Sequence, residues 1–465
     1  QIGSQAFYGC TELFDENGFL TFGNVLYGFD TARADKGTTV VLPDTVKKIA
    51  ANAFVLTNLR SIVIPSTVER VCASAILYYG QTELAVYVES TDTVLEENWS
   101  SATKSRVVSI KNGVSEDGTY FFLDDTTGLY YRLSSDKTAS VLNDLTATEA
   151  WSGEVELSSA ITYGNEQYTL TEIAVQAFYS NSDKVTKIVL PNTLQKIGNY
   201  AFANMILTEI ALPDSVTEIG YSLFHQTTTL EQVTFSKNIS VVPSSTFSDN
   251  AKLTAFDFSG IEELGEGAFK NCGLTQADLS NVKSIAKNAF AGCSALNAVT
   301  FSQELESIGS YAFYETALKE IYVPASVAEI GDYAFAVNDS VEKVTLATGI
   351  AGKGAFQQNT ALTTVEFVGG KEYSVGVQVF YQCSKLTAVS FGAGLTNIGT
   401  YALMESAVTK LSLPSSLKSI GDYAFYNCAK LDAVTFQEGL ASVGKYSFQG
   451  TAVTELSLPA SLTEY

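Results

Sequence analysis

The chain has 465 residues, longer than the ~250–300 at which a single globular core stops growing, so it is either multi-domain or elongated. Its 50 acidic against 28 basic residues, a formal charge of −22, repel phosphate backbones and anionic membrane surfaces, so no nucleic acid is expected as a partner. No apolar run approaches the ~18 residues that span a bilayer, while 46% apolar residues are enough for a continuous core.

Gln1-Ile2-Gly3 opens the chain in the middle of a repeat and Leu462-Thr463-Glu464-Tyr465 ends it in another, so it reads as a piece of something longer. Any export signal or anchor would then lie outside it. Residues 1–90 read as a first block of repeats, marked by Phe7 and Phe54 and, in degenerate form, by Ile76. An insertion near 11–39 departs from the period: residues 17–27 alternate around Gly23-Asn24 and predict a hairpin. From about Glu83 to Tyr168 the period is lost. There, Gly118 to Leu133 reads as a second hairpin with a polar turn, leading into Ile161-Thr162-Tyr163. About 85 residues is too much for a structureless loop. Residues 91–168 are therefore read as a small β element closing the first block and capping the second, because exposed repeat ends need covers. The alternative is a separate ligand-binding insert.

From 169 to 465 one unit repeats about thirteen times. An Ala-Phe pair or near variant marks each copy: Phe178, Phe202, Phe224, Phe247, Phe269, Phe290, Phe313, Phe335, Phe356, Phe380, Leu403, Phe425 and Phe448, spaced 21 to 24 residues apart. Before Phe335 come Leu318, Ile321, Val323, Pro324, Val327, Ile330 and Gly331, and the coil ending at Phe425 repeats that order. The alternation at Ile321–Val323 is that of a half-buried strand, and a proline ends it because proline cannot donate to the ladder. Seven of the eight prolines occupy this slot. The recurrent glycine implies positive φ or a tight backbone approach, and the Ala-Phe predicts a short helical or 3-10 turn. No coil can bury its apolar side chains alone, so neighbours must stack. Parallel rungs ~4.8 Å apart follow.

This unit resembles the BspA-type leucine-rich repeat, also called the Treponema pallidum type; Leu207-Thr208-Glu209-Ile210-Ala211-Leu212-Pro213 and the residues to Gly220 are close to its consensus. The resemblance implies a leucine-rich-repeat solenoid with parallel concave strands, short convex turns and β-hairpin insertions. It also implies a bacterial surface or secreted protein, of a kind that in some members binds host matrix proteins or other bacteria, and brings no catalytic residues or cofactor.

Chemistry-bearing residues fall into repeat slots. His225, the only histidine, follows a marker directly, where Tyr8, Tyr179, Tyr314, Tyr381 and Tyr426 stand elsewhere, and reads as a surface filler. Cys10, Cys272, Cys293, Cys383 and Cys428 lie three residues after the marker, a slot Thr227, Thr316 and Thr451 also fill, and read as small buried thiols. Cys72 takes the glycine slot. Cys272 and Cys293 sit on adjacent rungs, within disulfide reach. Gly349 to Gly354 has the look of a phosphate loop but lacks the Ser/Thr after Lys353. Asp15-Glu16-Asn17-Gly18 and Asp124-Asp125 read as hairpin turns rather than calcium loops.

Two surfaces remain for a partner. On the concave face the candidates are Glu320, Tyr322, Lys343 and Lys410; on the convex side a ladder of Tyr200, Tyr311, Tyr333, Tyr401, Tyr423 and Tyr446 stands two residues before the marker. The ladder reads as inter-coil packing, or else as an aromatic strip for sugar or peptide. The leading expectation is a non-catalytic, monomeric surface or secreted binding and adhesion protein with a protein or glycan ligand. The alternatives are a carbohydrate-binding accessory protein, using the ladder or 91–168, and an enzyme hidden in 84–168, where Trp99 and Trp151 lie.

Overall fold

The computed structural model describes residues 11–30, 39–56, 61–78, 84–88, 92–96, 107–110, 112–115, 120–124, 129–142, 153–179, 185–350 and 352–462, with 90 and 99 besides. The marks at Phe7, Tyr8 and Cys10, and Trp151, lie outside these residues. The chain divides into two units, residues 1–207 with 211–223 and residues 208–210 with 224–465.

In the second unit the coil between Phe313 and Phe335 shows how sequence becomes a rung. Glu320–Val323 alternates exposed and buried side chains, and Pro324 ends the strand. Glu320–Val323, Lys343–Leu346, Thr364–Phe367 and Ala388–Ser390 stack in parallel, with Glu320, Lys343, Thr364 and Ala388 in one row and buried Ile321, Val344 and Val365 in the next. A second ladder follows, of two-residue strands: Val241–Val242, Glu263–Leu264, Ser284–Ile285, Ser307–Ile308 and Glu329–Ile330. Of the two roles the sequence allowed the recurrent glycine, tight approach is the one in force. A Cβ on Gly309 would sit 2.5 Å from the Lys287 amide nitrogen, and its φ is not positive.

The marker side corrects the expectation of a helical or 3-10 turn. Among the described residues the only 3-10 segment is Thr11–Leu13, far from any marker in this unit. The chain instead makes consecutive tight turns, with Ala312 N–H donating to Gly309 C=O (3.2 Å) and Tyr314 N–H to Tyr311 C=O (3.2 Å). Tyr311 and Glu315 have φ of 58° and 55°. A right-handed helix needs negative φ at every residue, so two left-handed residues per coil forbid it. The turns are laddered too: Phe313 N–H donates to Ala334 C=O and Phe335 N–H to Ala355 C=O, both at 2.7 Å.

Inside, the markers stack. From Phe224 to Phe380 successive rings lie 5.0–5.8 Å apart, near parallel, and are fully buried. Each buried ring contributes roughly 1.5–3 kcal/mol by area and about 0.5–1.5 more from ring pairing, which outweighs any exposed ion pair.

The first unit begins with the expected hairpin: Phe19–Phe22 pairs antiparallel with Val25–Phe29, turning at Gly23 (φ 63°). The hairpin is also a rung, since Val25 and Leu26 pair in parallel with Lys48 and Ile49. That ladder continues through Arg70–Val71 and Val94–Leu95, with Leu26, Ile49, Val71 and Leu95 buried in one row. Trp99 packs against this core.

Beyond residue 95 the same sheet runs through the stretch that lost the period. Val94–Leu95 pairs in parallel with Asn112–Ser115. Three antiparallel steps follow, to Tyr120–Asp124, Leu129–Leu133 and Thr138–Leu142. Thr138–Leu142 then pairs in parallel with Glu166–Ile173, and so on to Lys196–Ile197 and Glu218–Ile219. Three reversals invert the strand direction, so a coil that keeps its hand must build on the other face of the sheet. The registers show this. Paired residues share a face, and the row of Val94, which lies outside the first coils, passes through 114 and 120 to Leu133, Ala139 and Leu170, all buried. The face of Leu95 becomes that of Arg132, Ser140 and Glu172, joined by Arg132–Glu172 at 2.6 Å and Ser140 Oγ donating to Glu172 at 2.7 Å. Leu129–Leu133, near the change of face, has Tyr130 and Tyr131 buried on opposite sides.

Candidate binding surfaces

The first-strand face of the second unit brings together three of the four residues expected there. Glu320 and Lys343 are direct partners in one row, and Tyr322 pairs with Thr345, which pairs with Glu366. Lys343 bonds Glu366 at 3.0 Å. Lys410 belongs to a separate pair of strands, opposite Ala433. Tyr322 is 49% exposed and is the aromatic that this face offers to solvent.

The tyrosine ladder has a backbone cause that the sequence does not advertise. All six tyrosines adopt left-handed φ, 55° to 58°, a region unusual for bulky side chains. The same slot elsewhere holds Ser222, Ser245, Gly267, Asn288, Gly354 and Gln378, so the strip is broken into short groups. Tyr311 stacks on Tyr333 at 5.0 Å and meets Tyr314 edge-on, and Tyr401, Tyr423 and Tyr446 follow one another at 5.1 Å. In the first unit Tyr200 meets Tyr179 and Tyr221 edge-on. Gly354 (φ 60°) lies under the Tyr333 ring, which leaves 2.8 Å for a Cβ.

The cysteines prove to be one chemical version of a general device. Cys272 and Cys293 donate S–H to the Phe247 and Phe269 carbonyls of the preceding coil, at 2.9 and 3.0 Å. Asn250, Asn338 and Asn359 donate side-chain N–H to Phe224, Phe313 and Phe335 from the same slot. Ser406 completes the set by its bond to Cys428. These four polar residues were missed, although a column of Asn, Ser, Thr and Cys, interrupted in the described coils at Met205, spells out a hydrogen-bonding slot. Cys72, Cys272, Cys293, Cys383 and Cys428 are free thiols, so the spatially permitted Cys272–Cys293 bond is not made. Burial pushes Cys293 and Cys383 up to about 12, which keeps them protonated and unreactive.

His225 is half-buried, with Nδ1 3.7 Å from Asp249, whose carboxylate accepts from Asn271 and Ser248. Asp15 Oδ1 accepts from the Asn17 and Phe19 amides, closing the hairpin turn. Among the described residues no three His, Cys, Asp or Glu side chains gather as metal ligands, and no helix is long and apolar enough to cross a membrane. Two hollows stand out: a shallow polar groove of 740 Å³ lined by Ser259, Glu262, Asn281, Lys283, Ser302 and Glu304, and a notch of 270 Å³ between residues 325 and 373.

Comparison with known proteins follows the same lines. The model of the BspA type leucine rich repeat region matches in six copies, over residues 32–135, 171–281, 262–373 and 350–465. A search of curated protein sequences returns no match. The fold is similar to a leucine-rich repeat protein from Bacteroides ovatus, 22% identical, covering 69% of this chain and 90% of that one with a TM-score of 0.50. Weaker likenesses are a leucine rich cell surface protein from Faecalibacterium prausnitzii (20% identical, 74% and 93% covered, TM-score 0.39) and the pneumococcal vaccine antigen PcpA (18%, 74% and 93%, 0.37). With stacked rungs of this register and a family model matched over most of its length, the chain belongs to the BspA-type leucine-rich repeat family.

Proposed function

We propose that the chain is a non-catalytic binding protein, secreted by or displayed on a bacterium, that holds a protein partner of the host or of another cell. What carries this reading is the first-strand face at residues 320–390. In-register parallel strands there present a continuous solvent-facing surface, with Tyr322 exposed beside the Glu320–Lys343 row. Exposed aromatics are the residue type on which protein interfaces centre, and the net charge of −22 favours a basic or neutral partner. A protein of this kind works as a monomer. The division at 1–90, 91–168 and 169–465 is proposed as one of repeat blocks joined by a β element.

Protease treatment of intact cells followed by detection of the chain tests its placement, and a cytoplasmic, protected chain would end the reading. Solid-phase binding to immobilised host matrix proteins tests the activity. Tyr322→Ala is expected to lower any such binding at least tenfold while leaving the fold intact.

A second reading, carbohydrate binding, is favoured by the Tyr401–Tyr423–Tyr446 group, whose last ring is 56% exposed. A glycan array that stays blank, or one whose signals survive alanine at all three positions, would remove it.

A further inference from the structure

A repeat protein shows the same edge coil after coil, so a partner can be told apart only where a coil departs from the pattern. The sharpest departure in the second unit lies between Leu346 and Ile350. The preceding coil takes seven residues from Val323, at the end of its first strand, to Ile330, and this one takes four. The second strand disappears with them. The ladder through Ser307–Ile308 stops at Glu329–Ile330 and resumes at Tyr373–Val375, and Ile350 makes only an isolated bridge to Val375.

What is left is the 270 Å³ notch. Its floor is Leu346–Gly349, one wall is Ala325–Ala328, and the other is Lys371–Tyr373. The walls belong to coils two rungs apart, hence about 9.6 Å from backbone to backbone, the room one extended strand takes. Their backbones are also unspent. Glu306 N–H donates to Lys283 C=O and Ala328 N–H to Glu306 C=O, each at 2.8 Å, but no described residue donates to Ala328 C=O. Likewise the Lys371 and Glu372 amides donate to no described residue.

The surroundings are firm. Thr348 Oγ1 donates to Val327 C=O at 2.9 Å and pins the shortened floor. Tyr373 stacks on Phe367 at 4.8 Å, and its hydroxyl accepts the Gly392 amide at 2.9 Å.

We infer that this notch is a docking site for an extended peptide segment of the protein partner, which supplies about three residues as the missing rung of the ladder. This rests on the binding-protein reading and gives it a place and a binding mode. A free acceptor on one wall and free donors on the other, set at strand spacing, match the N–H and C=O groups that an extended peptide backbone presents along its two edges. The volume falls just below the ~300–1,000 Å³ of small-molecule pockets. At 270 Å³ the notch leaves little room beyond the backbone of such a segment, so the seated side chains must be small.

The test pans phage-displayed random heptapeptides against the full chain, with two variants as counter-selection. One inserts Ser-Val-Ala between Thr348 and Gly349 and restores the seven-residue turn; the other, Ala347→Trp, fills the notch from its floor. Circular dichroism and melting establish that both are folded. The expected result is a set of peptides rich in small residues that bind the chain and lose at least tenfold on both variants. N-methylation of a central peptide amide should abolish their binding. No enrichment, equal binding to the folded variants, or displacement by a monosaccharide mixture overturns the inference. If the variants still hold the chain's matrix-protein partner as well as the parent does, the notch is wrong and the binding-protein reading stands. If the parent binds no protein at all, that reading falls first.

Discussion

The two largest breaks in the period run in opposite senses. In the first unit, residues are added between Val94–Leu95 and Glu166–Ile173, and every described strand of the addition pairs with a neighbouring strand, most of them in the same ladder. In the second unit, three residues are omitted after Leu346, and no described residue takes their place. Added chain can find partners for its own backbone groups, and there it also moves the buried face of the sheet to the other side. Omitted chain leaves the neighbours' groups unmatched. Insertion therefore costs little and hides nothing, whereas deletion creates an opening.

The largest expected effect tests the first half of that comparison. If the added strands are core, Tyr131→Ala in the first unit must cost as much as Phe313→Ala in the second, about 3–5 kcal/mol each, because both side chains are buried. Urea unfolding of the two variants checks this, and a loss below ~1 kcal/mol for Tyr131→Ala would make the addition a surface appendage. Next comes Asn338→Ala. Asn338 donates to the Phe313 and Phe335 carbonyls and accepts from Thr316, so its loss strands several buried groups. About 2–3 kcal/mol is expected, against less than ~1 for Cys293→Ser, which keeps a donor in its slot; equal losses would refute the hydrogen-bonding role.

Arg132→Ala touches the outward face created by the change of side. Its pair with Glu172 is partly exposed, so no more than about 1 kcal/mol is expected in the same unfolding assay. A loss as large as that of Tyr131→Ala would mean that the registers assign the wrong face. His225→Ala should stay within about 0.5 kcal/mol.

Much of the coil was legible because one constraint recurs. A buried Phe, a strand-ending Pro and a crowded Gly, repeated at 21–24 residues, leave few alternatives. What escaped was set by non-local or unfavoured geometry. Left-handed Tyr311 and Tyr423 contradict tyrosine's own preference, so no local rule predicts the turn side. The change of face depends on whether each strand in 112–142 pairs parallel or antiparallel, and alternation alone is silent on that. The first-strand residues Glu320, Tyr322 and Lys343 could be placed by counting, but not the Lys343–Glu366 pair that restrains one of them. The notch was countable from Leu346 to Ile350, yet only the unmatched carbonyl of Ala328 gives the count a meaning.

Amide hydrogen exchange on the intact chain tests the contrast most directly. The amides of 129–133, 138–142 and 166–173, paired in one sheet, are expected to exchange only with global unfolding, while those of Lys371 and Glu372 exchange within seconds. Rapid exchange throughout 129–142, or protection at Lys371 and Glu372 equal to that of Val365, would contradict it.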